Sequence, residues 1–353
     1  MVDRSNTVLI TGGCGFIGTN LADALLASGK QVILYDNLSR PGVERNCEWL
    51  RSRYPGRVHV WLNDIRDSSS LRTAVSMAAQ VYHFAAQVAV TTSLNDPLVD
   101  FEINLRGTLN LLEAARAQPR PPSIVFTSTN KVYGCLQQLA LVKNGLRYEP
   151  QDDRIRLNGI GDDCPLDFHS PYGCSKGGAD QYVLDYARSY GLPAVVLRMS
   201  CIYGPHQMGT EDQGWVAHFL IRARHGLPIT LYGDGLQVRD VLYVEDLVRA
   251  LREAQERSSE LAGRAFTIGG GPESAISLRE LVNLIGEISG DMPRVHMADW
   301  RTGDQRYFVA DTSAFRKETG WMPRVTVKEG VQLLYDWLTQ EHHTHAPLAN
   351  VFA

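Results

Sequence analysis

Short continuous apolar runs recur through the first half of the chain, at Thr7–Thr11 (TVLIT), Gln31–Asp36 (QVILYD), Val58–Leu62, Gln80–Phe84 and Ser123–Thr127. Between some of them lie segments with helical spacing, Thr19–Ser28 and Ile103–Ala117. A run that is apolar throughout, instead of at every second position, predicts a strand buried on both faces. Gly29 stops the first helix and Pro119 lies just beyond the second, as helix ends favour. A later helix reaches about Tyr190 and leads into a sixth strand at Ala194–Met199. Strands and helices in alternation predict an α/β fold, a Rossmann-type doubly wound parallel sheet with helices on both faces. After Gly204-Pro205 the pattern turns irregular, with turn signals at Gly209, Gly226-Leu227-Pro228 and Gly233-Asp234-Gly235. That part is expected to cap the C-terminal edge of the sheet and complete a ligand cleft there.

Composition narrows the class. With 353 residues and 44% hydrophobic positions, the chain can bury one large or two moderate cores. A net charge of −4, from 35 basic and 39 acidic residues, gives no reason to expect nucleic acid. An anionic ligand must therefore be held by local donors. The cysteines at 14, 47, 135, 164, 174 and 201 form no Cys-x-x-Cys pair, which argues against zinc and for reduced thiols in the cytoplasm. Met1-Val2-Asp3-Arg4-Ser5-Asn6 leads into a strand without an apolar signal segment, and no run is long enough to span a membrane. The tail 341–353, with His342, His343 and His345, reads as a frayed end, a weak metal site being the sharper alternative; no metal is expected.

The loop Thr11-Gly12-Gly13-Cys14-Gly15-Phe16-Ile17-Gly18 sits between the first strand and the first helix. In that position a glycine-rich loop is the signature of dinucleotide binding. Gly12 would make the tight turn, Gly15 let the backbone approach a pyrophosphate, and Gly18 let helix pack on strand. Asp36 closes the second strand 18 residues after Gly18, where a carboxylate accepts from a ribose 2′-hydroxyl and repels a 2′-phosphate. The expected cofactor is NAD, with Arg40 read as a loop residue in solvent. Asp64-Ile65 follows the third strand, and Asp64 stands either against an adenine edge or as a helix N-cap. His83, at the end of an apolar strand, reads as a satisfied core histidine.

Tyr172 and Lys176 lie four residues apart, on one face of a helix. A phenol is a poor base at neutral pH, and a neighbouring ammonium is expected to lower its pKa and let it take a proton from an alcohol. Tyr-x-x-x-Lys is common on ordinary helices, so the pair matters through what surrounds it. The string Phe126-Thr127-Ser128-Thr129-Asn130-Lys131-Val132-Tyr133-Gly134 follows the fifth strand, where hydroxyls face the crevice.

With these strings, and with Phe84-Ala85-Ala86, Asn104, Arg198, Tyr203-Gly204-Pro205, Arg239-Asp240 and Arg301-Thr302-Gly303-Asp304, the chain resembles the extended short-chain dehydrogenases/reductases, the nucleotide-sugar epimerases and dehydratases. The motifs cover nearly the whole chain in order. The resemblance implies that Thr129, Tyr172 and Lys176 form the catalytic triad. It implies a cofactor site from Gly12, Gly15, Phe16, Ile17, Gly18, Asp36, Asn37, Asp64, Ile65, Phe84, Ala85, Ala86, Gln87, Asn104, Thr127 and Met199, with Tyr172 and Lys176. For the substrate, a nucleotide-diphosphate sugar, it implies Thr129, Asn130, Tyr232, Arg239 and Arg301. Arg suits bidentate phosphate contacts, and Tyr232 falls where an aromatic meets the base. Expected boundaries are 1–197 with 236–258 for the NAD-binding domain and 198–235 with 259–340 for a smaller mixed α/β substrate-binding domain.

One difference discriminates within the family. Dehydratases carry Asp-Glu directly after the triad hydroxyl; here those places hold Asn130 and Lys131. The acid for elimination is missing, so epimerisation by transient oxidation is expected. Pro165-Leu166-Asp167-Phe168-His169-Ser170-Pro171, Met199-Ser200-Cys201-Ile202 and Gly209-Thr210-Glu211-Asp212-Gln213-Gly214-Trp215 resemble the CDP-paratose (CDP-tyvelose) 2-epimerase group, which implies C2 as the oxidised carbon. A 4-epimerase of the UDP-glucose or UDP-glucuronate type is the alternative, a 4,6-dehydratase the third reading, and a non-catalytic NAD sensor the reading from another class. Cys201, in a place usually held by Asn, reads as a packed thiol. His169 stands to touch substrate or pack in its loop. By analogy with the family a homodimer or tetramer is expected, paired through helices beginning near Phe101 and Pro171.

Overall fold

The computed structural model describes residues 3–301 and 303–344. Met1-Val2, Thr302 of the expected phosphate motif, and the tail from His345 onward lie outside the described residues, and the side chains of 341–344, His342 and His343 included, are not described. The chain divides into two compact units, one of residues 1–132, 170–198 and 248–265, the other of 133–169, 199–247 and 266–353.

The first unit holds the expected parallel sheet. Its strands run in the order Ala194–Met199, Ser123–Thr129, Gln80–His83, Thr7–Thr11, Gln31–Asp36, Val58–Leu62. Thr11 pairs with Tyr35 on one side and His83 on the other. Strand order reverses around Thr7–Thr11, so the loop after Thr11 opens at a topological switch point. Leu9, Ile33, Val81, Ile124 and Val196 from the strands pack with Leu71, Leu111, Leu112 and Val183 from the helices in one apolar core. The all-buried strand patterns arise because helices cover both faces.

Two helices differ from expectation at their starts. The first begins at Phe16, with Gly15 as its N-cap. The second is regular only over Gly107–Arg116, and the turn before it, Glu102–Arg106, is π-helical, with the Gly107 N–H bonded to the Glu102 carbonyl. Periodicity is blind to one extra residue in a turn.

The second unit is more regular than its sequence suggests. Val238–Tyr243 pairs antiparallel with Ala275–Ser277 and parallel with Tyr307–Phe308 and Cys201–Tyr203. Ile229–Tyr232 pairs with Val295–Ala298, and Leu141–Asn144 with Arg147–Pro150. Helix Leu278–Ser289 starts on a capping box of Ser277 and Glu280, which satisfies two orphan amides. Phe219, Leu231, Val241, Leu281 and Leu334 form this unit's core, with Cys201 packed against it as expected.

The expected domain boundaries differ from this division. Residues 133–169 and 236–247 belong to the second unit, and 259–265 to the first. The reason is pairing: Val238–Tyr243 is the central strand of the second unit's sheet, and Arg147 of the 141–150 hairpin holds Glu280 through two bonds of 2.7 Å. Short strands separated by turns carry too little periodicity to be seen in the sequence.

Candidate active site

The glycine loop follows from local sterics. Gly12 has φ +67°, and a Cβ there would lie 2.7 Å from the Ala85 nitrogen. A Cβ on Gly18 would lie 2.5 Å from the Gly12 carbonyl oxygen. Side chains are excluded at both, as the sequence roles require. Helix Phe16–Ala27 starts on Gly15 without a side-chain cap, so the amides of its first turn face outward and suit an anion.

Asp36 is held in place by two backbone amides: Cys14 N–H donates to Oδ2 (3.0 Å) and Leu38 N–H to Oδ1 (2.9 Å). Burial pushes its pKa up while these amides pull it down. Leu38 adopts φ +54° to make its turn. Arg40 is half-buried, and burial lowers its pKa; the expectation of a solvent-exposed loop residue is corrected. The open choice for Asp64 is also decided on one side. Asp67 caps helix Ser68–Ser76, so Asp64 is no N-cap. Its carboxylate is gripped by Arg66 through two bonds of 2.8 Å and by Asn37 at 2.9 Å, and Arg66 above all holds it well below the usual carboxylate range.

Beyond strand Gln80–His83, the segment Phe84–Gln87 is fixed from behind. Ala85 N–H donates to Thr11 Oγ1 (3.3 Å). Asn104 closes a reciprocal pair with the Gln87 backbone, accepting from N–H at 2.9 Å and donating to the carbonyl at 3.0 Å. His83 is the satisfied core histidine expected. Thr108 Oγ1 donates to the Asn104 carbonyl (2.6 Å) and so accepts from His83 Nε2 (3.0 Å). Nδ1 then accepts from Thr11 Oγ1 (2.6 Å). Burial pushes the imidazole down to about 3, so it is neutral at physiological pH.

Thr129, Tyr172 and Lys176 are brought together in the first unit, each 8% exposed or less. The Thr129 hydroxyl hydrogen-bonds the Tyr172 phenol. Ser93 Oγ accepts from the Tyr172 N–H (3.2 Å). Lys176 Nζ donates to the Thr127 carbonyl (2.7 Å) and lies 4.2 Å from the centre of the Phe126 ring. One expectation is corrected here. Burial pushes Tyr172 up to about 12; Thr129 pulls it down, Asp100 pushes it up, and no lowering by Lys176 is present. The ammonium is turned to a carbonyl and a ring face, and burial brings Lys176 itself down to about 7. Below Lys176, Asp180 holds Arg198 in a buried bidentate pair (2.9 and 3.0 Å).

Asn130, buried, starts a 3₁₀ turn, Asn130–Tyr133, and the Lys131 N–H bonds back to Thr129 Oγ1 (3.2 Å). Within this strand end no carboxylate follows the hydroxyl.

The residues expected to hold a diphosphate lie in the second unit with the insertion after Gly134. Arg239 is paired with Asp304 (2.7 Å) and donates to the Val238 carbonyl. Arg301 stacks 3.8 Å over the Tyr232 ring and donates to the Glu211 carbonyl (3.0 Å), with Glu211 and Asp212 carboxylates 3.5 Å away. Both guanidiniums are thus shared with acids of this chain. A cavity of about 500 Å³ in this unit is lined by Arg301, Asp304, Tyr148, Trp300 and Arg306 among others. Arg306 lies near the Trp300 and Tyr148 rings, at 5.3 and 5.8 Å. Sequence reading missed Tyr148, Trp300 and Arg306; the adjacency of Trp300 to Arg301 was the signal available. Met199, at the end of its strand, is partly buried and falls in the second unit. His169 packs in its loop, between Cys135 Sγ (3.2 Å) and Asp167 (3.0 Å).

Among the described residues no cluster of acids, histidines and cysteines fits a metal ion, and no helix is long and apolar enough to cross a membrane. A family model described as GDP-mannose 4,6 dehydratase matches residues 9–334. The chain belongs to this family of extended short-chain dehydrogenases/reductases. Within it the chain is 45% identical over 337 residues to a CDP-paratose 2-epimerase of Salmonella typhi, covering 94% of this chain and 98% of that protein. It is 32% identical to a dTDP-glucose 4,6-dehydratase of Streptomyces griseus, covering 97% and 96%. A solved UDP-glucose 4-epimerase of Thermus thermophilus, in complex with NAD, superposes with a TM-score of 0.78 at 34% identity, covering 94% and 99%. Epimerases and dehydratases of nucleotide sugars therefore share this fold and family.

Proposed function

We propose that the chain is an NAD-dependent epimerase of a nucleotide-diphosphate hexose, which inverts one sugar carbon by transient oxidation, and that this carbon is C2. The observation that carries the reading is the strand end Thr129-Asn130-Lys131. Thr129 meets the Tyr172 phenol, while an amide and an ammonium follow it where elimination would need acids. The 45% identity to a CDP-paratose 2-epimerase over nearly all of both chains supports C2.

The residues present fit a dinucleotide. The uncapped helix start at Phe16 and Ile17 suits a pyrophosphate, and Asp36 with Asn37 suits the adenosine ribose. Asp64 and Ile65 would meet the adenine, and Phe84–Gln87, Asn104 and Thr127 would wall the nicotinamide side, with Met199. When bound, NAD supplies the hydride acceptor and a positive ring. Thr129 would then hold the sugar hydroxyl, and Tyr172 would take its proton as the carbon becomes planar. Inversion would be complete once the hydride the cofactor would hold comes back to the other face of the ketone and Tyr172 returns the proton to its oxygen. Lys176, one helical turn on, would support Tyr172 as the third member of the triad. Arg239 and Arg301 would share their guanidiniums with the diphosphate, and Tyr232 would lie against the base, with Asn130 near the sugar.

The test uses nucleotide-diphosphate hexoses deuterated at C2 or at C4, with the bound nicotinamide analysed after one turnover. Label from C2 is expected. Label from C4 alone makes the chain a 4-epimerase, and a 4-keto-6-deoxy product makes it a dehydratase.

The reading includes a dimer or tetramer working in the cytoplasm. Leu98, Phe101 and Tyr182 are 76%, 46% and 44% exposed on the helices expected to pair, and none of the six cysteines is in a disulfide. Leu98→Arg with Phe101→Arg is expected to yield a monomer in analytical ultracentrifugation, with secondary structure unchanged; an unaltered sedimentation coefficient overturns this interface.

A further inference from the structure

A second cluster of reactive side chains lies in the second unit, on the loops that flank the hairpin at 141–150. Cys135 Sγ is 3.2 Å from His169 Nδ1, and His169 Nε2 is 3.0 Å from Asp167 Oδ2. An ionised carboxylate only accepts, so in the neutral ring the proton sits on Nε2 and Nδ1 is left to accept from the thiol. A nucleophile, a base within hydrogen-bond reach and a group that orients the base make the arrangement that activates a cysteine. Among the described residues the three belong to no group that could hold a metal ion.

The backbone is shaped to bring them together. Gly134 has φ +68°, and a Cβ there would lie 2.7 Å from Asp167 Oδ2. Glycine is what lets that carboxylate lie against the chain just before the thiol. The buried Gln305 amide donates to the Gly134 carbonyl (2.6 Å) and pins the turn. Leu136 and Ser170, the residues that follow Cys135 and His169, stand at φ +52° and +63°. Residues with a side chain rarely occupy this left-handed region, and they stay in it where their surroundings hold them there. Cys135 is half-buried and lines the cavity of about 500 Å³ described above, with Leu139, Tyr148 and Trp300. That size falls among small-molecule sites. Asp304, also on the wall, is paired with Arg239, and Arg301 is shared with Glu211. Arg306 is exposed beside the Trp300 and Tyr148 rings and takes no carboxylate among the described residues. The cavity thus offers a cation to an anionic ligand and a thiol on its wall.

We propose that Cys135, His169 and Asp167 form a thiol-exchange site whose ligand is an anionic small-molecule disulfide taken into this cavity. His169 takes the thiol proton as the Cys135 sulfur attacks one sulfur of the disulfide. A bond forms between Cys135 and that sulfur, and the disulfide's own S–S bond breaks. The other half leaves as a thiolate and receives the proton from His169. The incoming disulfide is the oxidant, and nothing else is consumed. Cys135 is left as a mixed disulfide that fills part of the cavity, and an added dithiol reverses it by the same exchange. Asp167 acts through His169, as a positioning residue. The site stands apart from the epimerase reading, because its chemistry involves no nucleotide sugar.

Glutathione disulfide, which carries carboxylates on both halves, is the probe. The whole chain is incubated with it near pH 7, and each cysteine is followed by peptide mass spectrometry. Exposure alone would put Cys174 first, since it is exposed where Cys135 is half-buried. The triad puts Cys135 first, about tenfold ahead, because a free thiol is only a few per cent ionised near pH 7. His169→Ala is expected to remove that lead while the Cys174 rate stays unchanged. Arg306→Gln is expected to slow the adduct with glutathione disulfide by up to about fivefold, the worth of one exposed ion pair, and to leave the rate with cystamine, a dicationic disulfide, unchanged. The comparison of Cys135 with Cys174 in the wild-type chain depends on no variant folding. Cys174 modified first, or a Cys135 rate unmoved by His169→Ala, overturns the triad. Equal effects of Arg306→Gln on the two disulfides overturn the anionic ligand.

Discussion

Tyr172→Phe is expected to lower kcat roughly 10³-fold, within the range that a positioned acid–base group contributes, while NAD stays bound. The change removes one oxygen from a buried ring, so the fold should survive. Thr129 loses its phenol partner but remains in place through the Lys131 amide. Steady-state rates with NAD occupancy measured by absorbance check this. Rates within tenfold of wild type would mean that another group takes the proton. The raised pKa of Tyr172, about 12 with Lys176 turned aside, sharpens the expectation. A buried phenol is no base until positive charge comes close.

The largest stability effect is expected at Arg198. Its guanidinium and the Asp180 carboxylate are 6% and 0% exposed. Removing one partner of such a pair leaves the other charge buried, which costs about 3–5 kcal/mol. Arg198→Leu is expected to lower the unfolding free energy from chemical denaturation by that amount. The double variant Arg198→Leu with Asp180→Leu should recover much of it, because an apolar pair replaces an ionic one at little net cost. Equal losses in the single and double variants would refute this account and assign the arginine's value to its aliphatic packing.

Much of the first unit was legible because its physics is local. Continuous apolar strands, a glycine loop at a strand end and a stopped helix each carry their reason within about ten residues, and each stands where expected. Asp64 was not legible, since an N-cap and a free carboxylate look alike until Asp67 is seen to cap the helix. Nor was the direction of Lys176, which depends on a carbonyl 49 residues away. In the second unit the hairpin at 141–150 takes its place from Glu280 and Leu236, and no short window of sequence contains that. Arg239 and Arg301 were read as phosphate donors from their residue type and family position. Their present partners, Asp304 and Glu211, are distant in sequence and equally invisible to it.

The π-helical turn at Glu102–Arg106 has a bearing on how the chain tolerates changes in length. One residue too many is stored there, and the surplus is what lets Asn104 reach Gln87, Asp100 and Ser175 at once. Deleting Ile103 would close the turn into ordinary helix and improve its hydrogen-bond ladder. It would also rotate the flanking segments by roughly 100° relative to one another, the angle per residue of an α-helix. Regular helix and aimed amide are thus alternatives at this point. Single-residue deletions that surface loops accept should be refused here, even though the helix left behind would be the better one.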